Sequence, residues 1–308
     1  MGTPDFASKS LESIYNAKHK ILSVVTNPDR QKGRGMKFAY SPVKEFAMEK
    51  NLKIYQPEKI KNNQEFIEEI KAQKPDIICV VAYGKILPKE ILDIPKYGCI
   101  NVHASLLPKY RGAAPIQWAI INGDKKTGVT TMYMDVGMDT GDIILKEEVE
   151  INEDETTGEL WNKLADIGGK LLVKTLEQIE SGNIVREKQS NDYTMAPMID
   201  KSIAKIDWNE KNAIQIKNLV RGLNPILGAY TLYKGKKIKL WKVDVLKNKD
   251  EEKPNGMIIK ANEKEGLLIK AKEGIIKVLE IQAENSKRMS INDYLRGNVI
   301  EEGYVLES

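Results

Sequence analysis

The chain of 308 residues carries 48 Lys and Arg, 44 Asp and Glu and two His, which gives a formal net charge of +4, and 41% of its residues are hydrophobic. This composition is typical of a globular protein with a sizeable buried core, and no apolar run approaches the ~20 residues of a membrane-spanning helix. Two histidines and two cysteines also offer no plausible set of ligands for a zinc ion.

Charge distribution and cysteine usage narrow the class of protein further. Residues 201–308 contain 21 Lys and Arg against 15 Asp and Glu, a net charge of +6, whereas residues 1–200 contain 27 against 29. A basic C-terminal part fits a polyanionic partner, although ordinary lysine usage would give the same excess. Cys79 and Cys99 each lie in an apolar run, which predicts small buried side chains in a reducing compartment, the cytoplasm.

Alternating helix and strand patterns in the first 200 residues predict an α/β fold with a Rossmann-like, doubly wound and mostly parallel sheet. The chain opens at a turn, Gly2 to Asp5, with no strand pattern before it. The first strand of such a sheet lies centrally, so we interpret that strand as missing and expect an empty slot between the strands predicted at 21–26 and 75–82. Further strands are predicted at 52–55, 99–103 and 127–134, and helices at 7–16, 41–51, 63–73, 115–123 and 156–180.

The connection at residues 28–40 is unusually long and basic. Its two glycines lack the spacing of a dinucleotide-binding turn. The segment is therefore either a mobile solvated loop or a functional loop that binds a partner. Its four basic residues are Arg30, Lys32, Arg34 and Lys37.

The strand at 99–103 carries the strongest chemical signal. Side chains two residues apart share one face of a strand, so Asn101 and His103 point the same way, at the strand end where open α/β sheets bind ligands. An amide beside an imidazole suits a carbonyl that becomes a tetrahedral oxyanion, because the amide stabilises the charge and the imidazole exchanges a proton near neutral pH. The alternative is a polar pair that caps the strand end.

An acidic segment follows the strand predicted at 127–134. Residues 135–142 hold three aspartates and two glycines, and such glycines let the backbone approach a ligand closely. Met138 and the short spacing do not match a calcium-binding loop. We therefore expect no metal at this segment.

The C-terminal part has a different pattern. Residues 187–203 turn polar and predict a linker between a catalytic domain at 1–186 and a second domain at 204–308. After a helix at 209–221, short strands are predicted at 229–233, 238–245, 256–260, 267–271 and 274–281, which favours a small OB-like β-barrel suited to nucleic-acid contact. Tyr230, Tyr233 and Trp241 are candidates to stack on bases, although core packing is the more frequent role of such residues.

A set of motifs also resembles a known family. Asn101-Val102-His103, followed by Ser105-Leu106-Leu107-Pro108 and Arg111-Gly112, resembles the signature of the 10-formyltetrahydrofolate-dependent formyltransferases. The resemblance continues in order through residues 2–7, 28–35, 41–44, 82–88, 112–117, 134–142 and 206–208, so it covers essentially the whole chain. In this fuller form it is similar to the family members that act on methionyl-tRNA.

The resemblance implies an enzyme that moves a formyl group from its co-substrate, 10-formyltetrahydrofolate, to the α-amine of initiator methionyl-tRNA, without a metal. It places Asp139 beside Asn101 and His103, where the carboxylate orients the imidazole or helps to move a proton, and it implies that the basic loop touches the tRNA acceptor end. We expect a monomer. The implied folate-binding residues are Tyr83, Gly84, Ile86, Leu87, Ser105, Leu106, Leu107, Pro108, Gly137 and Met138.

Other functions share parts of this pattern. The acceptor is alternatively a small amine, such as an amino sugar nucleotide or glycinamide ribonucleotide, and a non-catalytic RNA-binding relative would keep the same scaffold. The basic β-rich C-terminal part and the loop at 28–40 favour tRNA over a small acceptor. The intact set of Asn101, His103 and Asp139 argues against a non-catalytic protein.

Overall fold

The computed structural model describes residues 1–32, 37–246 and 252–307, with the backbone alone for residues 30–32 and 37–38. Contacts divide the chain into two compact units. The first comprises Met1–Pro115, Lys126–Glu150 and Trp161–Pro197, and the second comprises Ile116–Lys125, Ile151–Leu160 and Met198–Ser308. Among the described helices, none has the length and apolar character that crossing a membrane requires.

Helices and strands alternate through the first part of the chain, as the sequence predicts. Capping explains several helix starts: the Asn63 side chain accepts a hydrogen bond from the backbone N–H of Phe66 at 3.2 Å, one turn into the helix. The helices are α1 (Asp5–Asn16), α2 (Pro42–Glu49), α3 (Gln64–Gln73), α4 (Lys89–Leu92), α5 (Pro115–Ile121) and α6 (Thr157–Glu180). The strands are β1 (Val24–Val25), β2 (Arg30–Lys32), β3 (Lys37–Ala39), β4 (Ile54–Tyr55), β5 (Ile78–Val81), β6 (Cys99–His103), β7 (Lys126–Tyr133) and β8 (Ile143–Glu150).

The sheet of the first unit is mixed. Strands β1 and β4 pair in parallel, and so do β5 and β6, whereas β7 and β8 continue the second group in antiparallel orientation. The α/β class is therefore confirmed. Strand β8 is an addition that the sequence did not predict, and it pairs with β7 at the end of the four-stranded order.

Met1 and Gly2 lie between the two parallel pairs and hydrogen-bond to both. The Gly2 N–H donates to the Val25 carbonyl at 2.9 Å, and the Val81 N–H donates to the Met1 carbonyl at 2.9 Å. Next to Met1 lies a cavity of about 650 Å³, lined on one side by residues 20–25 and on the other by residues 73–79. The slot expected between these two strands is thus confirmed as a cavity.

The second unit is built on one antiparallel sheet. Its order is β11-β12-β13-β10-β9, with β14 paired to β13, and helix α7 packs on β10 and β13. The elements are α7 (Ala213–Gly222), β9 (Ala229–Tyr233), β10 (Lys236–Leu246), β11 (Ile258–Asn262), β12 (Gly266–Lys270), β13 (Ile275–Ala283), β14 (Met289–Ser290) and α8 (Ile291–Gly297), after a short 3-10 helix at Lys201–Ala204.

The end of the chain closes this sheet. Val305 pairs with Met257, just before β11, and Glu307 pairs with Leu232 in β9, so one segment joins both edge strands. Closure removes the open edges of the sheet. The resulting small barrel agrees with the OB-like barrel expected from the five-strand pattern.

Two earlier stretches of the chain belong to the second unit, although the predicted catalytic domain at 1–186 includes them. The Thr157 hydroxyl donates to the carbonyl of Gly222 at 2.7 Å, and the Arg221 guanidinium donates to the carbonyl of Glu155 at 3.1 Å. Ile121 lies against Gly222, where no room exists for a Cβ. Helix α7 therefore packs on residues distant in sequence, which a boundary drawn from composition does not anticipate.

Candidate active site

Asn101 and His103 lie on β6, and the chain around them explains their placement. The strand pairs with β5 on one side and with β7 on the other, so its backbone is fixed from both edges. His103 is buried, with 6% of its surface exposed, and Asn101 is half-buried. The two side chains share a face of the strand, as the spacing predicts.

Asp139 meets these two side chains from a loop that folds back. The loop at 134–142 leaves β7 beside the amino end of β6, where the Met134 N–H donates to the Cys99 carbonyl at 2.8 Å. Asp139 Oδ1 lies 3.5 Å from Asn101 Nδ2, and Asp139 Oδ2 lies 3.6 Å from His103 Nδ1. The structure thus brings together the three residues that the resemblance placed at one site.

The other contacts of the cluster define where a proton can reside. His103 Nε2 lies 2.9 Å from the Tyr110 carbonyl oxygen, which only accepts hydrogen bonds, so Nε2 carries a proton. Nδ1 then faces the Asp139 carboxylate, and this contact is attractive only when a proton lies between the two groups. The Gly112 N–H donates to Asp139 Oδ2 at 2.8 Å and anchors the carboxylate from the opposite loop.

The loop after β6 is held by Thr130 and by Ser105 and Leu107, two residues that the resemblance implies for folate binding. The Ser105 hydroxyl donates to the Lys109 carbonyl at 2.6 Å, and Ser105 has 0% exposed surface. The Thr130 hydroxyl donates to the Ser105 carbonyl at 2.6 Å and accepts from the Leu107 N–H at 3.1 Å. Ser105 and Leu107 therefore stabilise the conformation of the loop. A ligand can reach the half-buried residues of the loop, Leu106 and Pro108.

The loop after β5 also contains both buried residues and residues that a ligand can reach. Tyr83 and Leu87 are buried, whereas Gly84 and Ile86 are exposed, Ile86 to 84%. Burial raises the pKa of the Tyr83 phenol to about 12, and its hydroxyl has no hydrogen-bond partner among the described residues. In the loop that carries Asp139, Gly137 is exposed and Met138 is 62% exposed. Two loops thus present exposed apolar side chains, which is unusual for solvated loops and suits a ligand with an apolar ring.

The basic connection at 28–40 contains a short hairpin, in which Arg30 pairs with Ala39 and Lys32 with Lys37. Arg34 and the side chains of Arg30, Lys32 and Lys37 lie outside the described part of the structure. Asp29, which precedes the hairpin, accepts hydrogen bonds from the Lys44 ammonium and, at 2.9 Å, from the Gln56 amide. The hydrogen bond from Lys44 lowers the pKa of the Asp29 carboxyl.

Sequence reasoning missed one residue of this site, Gln189. Its amide nitrogen lies 2.8 Å from the carbonyl oxygens of both Asp139 and Gly141, and its amide oxygen accepts two hydrogen bonds from Arg111. The sequence around Gln189 is polar and without periodicity, so no local signal marks it. Arg111 stood in the recognised motif without an assigned role.

No group of three or more His, Cys, Asp or Glu side chains within the described residues could hold a metal ion. Within the acidic segment at 135–142, Asp135 accepts hydrogen bonds from its own loop, from the Gly137 N–H at 2.9 Å and from the Thr140 hydroxyl at 2.6 Å, whereas Asp139 faces Asn101 and His103. The cluster therefore offers an amide, an imidazole and a carboxylate for acyl chemistry and proton transfer.

Known proteins match the chain along its length. A family model described as formyl transferase matches residues 1–176, and one described as formyl transferase, C-terminal domain, matches residues 198–299. A methionyl-tRNA formyltransferase from Caldanaerobacter subterraneus subsp. tengcongensis is 51% identical over 308 residues, which cover 100% of this chain and 98% of that protein. A methionyl-tRNA formyltransferase from Clostridioides difficile is 53% identical over 307 residues, 99% of this chain and 98% of that protein.

Solved structures share the fold at lower identity. The sugar 3N-formyl transferase WlaRD has a TM-score of 0.66 at 22% identity, over 93% of this chain and 97% of that chain. The N-formyltransferase from Helicobacter canadensis has a TM-score of 0.66 at 22% identity, over 90% of this chain and 97% of that chain. Since family models match both parts of the sequence and relatives share half of its residues from end to end, the chain belongs to the formyl transferase family.

Proposed function

We propose that the protein transfers a formyl group from 10-formyltetrahydrofolate to the α-amine of methionyl-tRNA, which supplies formylmethionyl-tRNA for translation initiation. The observation that carries this proposal is the cluster of Asn101, His103 and Asp139 in a chain about half identical, over its full length, to methionyl-tRNA formyltransferases. The protein acts as a monomer in the cytoplasm, where its two free thiols, Cys79 and Cys99, stay reduced.

Asn101 stabilises the charge that develops during transfer. The amine attacks the formyl carbon, a C–N bond forms, and the formyl oxygen becomes an oxyanion. The contact of Asn101 Nδ2 with Asp139, at 3.5 Å, is at the outer limit of a hydrogen bond. The amide can therefore turn an N–H toward the oxyanion at little cost, and this donor strengthens as the charge grows.

His103 and Asp139 move the proton. Because His103 Nε2–H is committed to the Tyr110 carbonyl, the exchangeable proton lies on the Nδ1 side, next to Asp139. The pair takes the proton that the attacking amine loses and returns it to N10 of the folate, as the bond between the formyl carbon and N10 breaks. The imidazole and the carboxylate thus act together, as base in the first transfer and as acid in the second.

The folate lies along the exposed residues of the two loops that flank the cluster. Ile86 and Met138 present apolar surface to the pterin ring, and Gly84 and Gly137 let the backbone come close to it. The buried residues Tyr83 and Leu87 hold the loop after β5 in shape, and the buried residues Ser105 and Leu107 do the same for the loop after β6.

The tRNA contacts two basic regions. The paired strands β2 and β3 belong to the first unit and meet the acceptor end. On the second unit, the turn between β9 and β10 carries exposed Lys234, and β10 begins with exposed Lys236 and Lys237. Lys237 Nζ lies 4.1 Å from the centre of the Tyr230 ring. Cations next to an aromatic ring suit a backbone of phosphates with accessible bases.

The identity of the formyl acceptor distinguishes this function from its nearest alternative, formyl transfer to an amino sugar nucleotide. Purified protein should be incubated with 10-formyltetrahydrofolate and either methionyl-tRNA or a dTDP-linked amino sugar, and formyl incorporation should be measured for each. We expect rapid formylation of methionyl-tRNA and none of the sugar. Formylation of the amino sugar alone would establish a small-molecule transferase, and no formylation of either would support a non-catalytic relative.

A further inference from the structure

The carboxamide of Gln189 joins two loops of the first unit. Its nitrogen donates to the Asp139 and Gly141 carbonyls, each at 2.8 Å. Its oxygen accepts from Arg111 Nε at 3.0 Å and from an Arg111 terminal nitrogen at 2.8 Å. All four contacts have hydrogen-bond distances, so both ends of this half-buried side chain are in use.

Arg111, in turn, is fixed from several directions. Its guanidinium carbon lies 4.5 Å from the centre of the Tyr193 ring. Its backbone N–H donates to the Thr194 carbonyl at 2.9 Å, and its carbonyl accepts from the Ala196 N–H at 2.7 Å. Arg111 is 8% exposed. The arginine therefore gives the Gln189 oxygen a rigid anchor.

Asp139 needs such support because its backbone is unusual. Its φ is +54°, in the left-handed region that residues with a side chain rarely adopt. A residue held there persists only when its surroundings over-determine it. Gln189 fixes the Asp139 carbonyl, and the Gly112 N–H fixes its carboxylate. Gly112 directly follows Arg111 in the chain, so both restraints on Asp139 derive from one short segment.

We propose that Gln189 is a positioning residue for the reaction. It holds the Asp139 carboxylate in the place from which it reaches both Asn101 and His103, 3.5 and 3.6 Å away. This inference rests on the proposed function of that cluster. Gln189 touches none of the three side chains of the cluster with its own polar atoms, so it acts through the backbone of the Asp139 loop.

The position of the Gln189 side chain, between two carbonyl oxygens and the Arg111 guanidinium, requires a carboxamide. The two carbonyls need an N–H donor, and Arg111 needs an acceptor, and a neutral amide supplies both at once. A glutamate keeps the acceptors for Arg111 but loses the donor, and its charge is repelled by the two carbonyl oxygens. A leucine of similar size loses both functions. The two substitutions therefore separate anchoring by Arg111 from positioning of Asp139.

The first test compares Gln189→Leu and Gln189→Glu with the control Gln73→Leu. Gln73 is a half-buried carboxamide of the same unit whose nitrogen donates to the Tyr55 hydroxyl and to the Glu69 carbonyl, and it lies outside the site. We expect both Gln189 variants to lose roughly 10- to 100-fold in kcat, because a displacement of about 1 Å in a reacting group has that effect. KM for methionyl-tRNA should change less than about threefold, because the regions proposed to bind the tRNA do not include residues 135–142. The control should keep its kcat.

A double-variant cycle tests whether Gln189 acts through Asp139. Asp139→Asn combined with Gln189→Leu should be no slower than Asp139→Asn alone, because both changes remove the same contribution. If the losses of kcat in the two single variants multiplied in the double variant, the proposal would be overturned. A wild-type kcat in Gln189→Glu would also overturn it, because the contact of residue 189 with Arg111 alone would then suffice.

A measurement independent of activity separates this inference from the proposed function. Amide hydrogen exchange of residues 135–142 should be at least about tenfold faster in both Gln189 variants than in the wild type, and unchanged in Gln73→Leu. Unchanged exchange would overturn the positioning role. If the wild type transferred no formyl group while exchange responded as expected, the proposed function would fail and the positioning of Asp139 would stand.

Discussion

The two units use their polar residues in opposite ways. In the first unit, side chains converge inward on one carboxylate: Asn101, His103 and the Gly112 N–H all meet Asp139. In the second unit, the barrel is closed by its last residues and its lysines point outward from the turn between β9 and β10. Substitutions in the cluster of the first unit should therefore change the rate of formyl transfer, and substitutions of the lysines on the second unit should change the affinity for tRNA.

The sheets of the two units differ as well. The barrel joins its edge strands through the segment at 304–307, whereas the sheet of the first unit has a cavity of about 650 Å³ beside Met1. In a closed sheet, the backbone N–H and C=O groups of each strand are hydrogen-bonded to a neighbouring strand. Strands that flank an unfilled slot leave some of these groups unpaired. The first unit therefore has stability to gain, and the barrel has little.

The largest effect is expected from the inward-facing cluster. Asn101→Ala removes the proposed oxyanion donor and should lower kcat roughly 10²- to 10³-fold. Its Kd for methionyl-tRNA and its melting temperature should stay close to those of the wild type, because Asn101 is half-buried and makes only a long contact. Steady-state kinetics with circular dichroism as a folding check would measure both. Near-native turnover in the folded variant would remove Asn101 from the mechanism.

The cavity provides the next test. An apolar segment such as Val-Ile-Val-Ile-Val, fused ahead of Met1, should add a strand in the slot. Each buried side chain contributes about 1.5–3 kcal/mol against a comparable cost of ordering, so a net gain of about 2 kcal/mol should raise Tm by about 4–8 °C. A Gly-Ser segment of the same length is the control. Equal melting temperatures for the two fusions would show that the slot does not accept a strand.

The outward-facing lysines should affect binding alone. Lys236→Glu combined with Lys237→Glu should weaken the Kd for methionyl-tRNA about tenfold and reduce the slope of log K against log salt by about 2, because two phosphate contacts are lost. Lys264→Glu is the control, since Lys264 is equally exposed but lies between Glu263 and Glu265. Fluorescence titration at several salt concentrations would measure the slope. A double variant that bound like the control would remove this turn from the tRNA surface.

Some of this structure follows directly from local sequence. Strand β6 has the predicted bounds, because an apolar run between a Gly and a Pro-rich loop leaves few alternatives. Helix α3 ends at its predicted residue, Gln73, and starts one residue after the predicted start, because Asn63 caps it. Strand β8 was missed because it is an edge strand whose Lys146, Glu147 and Glu148 resemble a solvated segment. Helix α8 was missed as well, since its seven residues are too few to show a helical period.

Some residues of the site also follow from local sequence, and others do not. Asn101 and His103 could be paired from their spacing alone, since a strand dictates which side chains share a face. Asp139 could be placed beside them only by resemblance, because its loop starts at the other end of β6 and folds back. Gln189 could not be predicted, since its role depends on contacts with residues about 50 and 78 positions earlier. Tertiary contacts, not local pattern, complete the site.

If Asp139 and His103 share the proton that moves during formyl transfer, replacing the carboxylate in Asp139→Asn should slow the transfer. The isosteric amide can still accept from the Gly112 N–H, so the loop should keep its place. Single-turnover transfer of labelled formyl from 10-formyltetrahydrofolate to methionyl-tRNA should be measured together with the Kd for the tRNA. We expect a rate at least about 10²-fold below that of the wild type, with the Kd within a factor of about two. A wild-type rate at an unchanged Kd would contradict it.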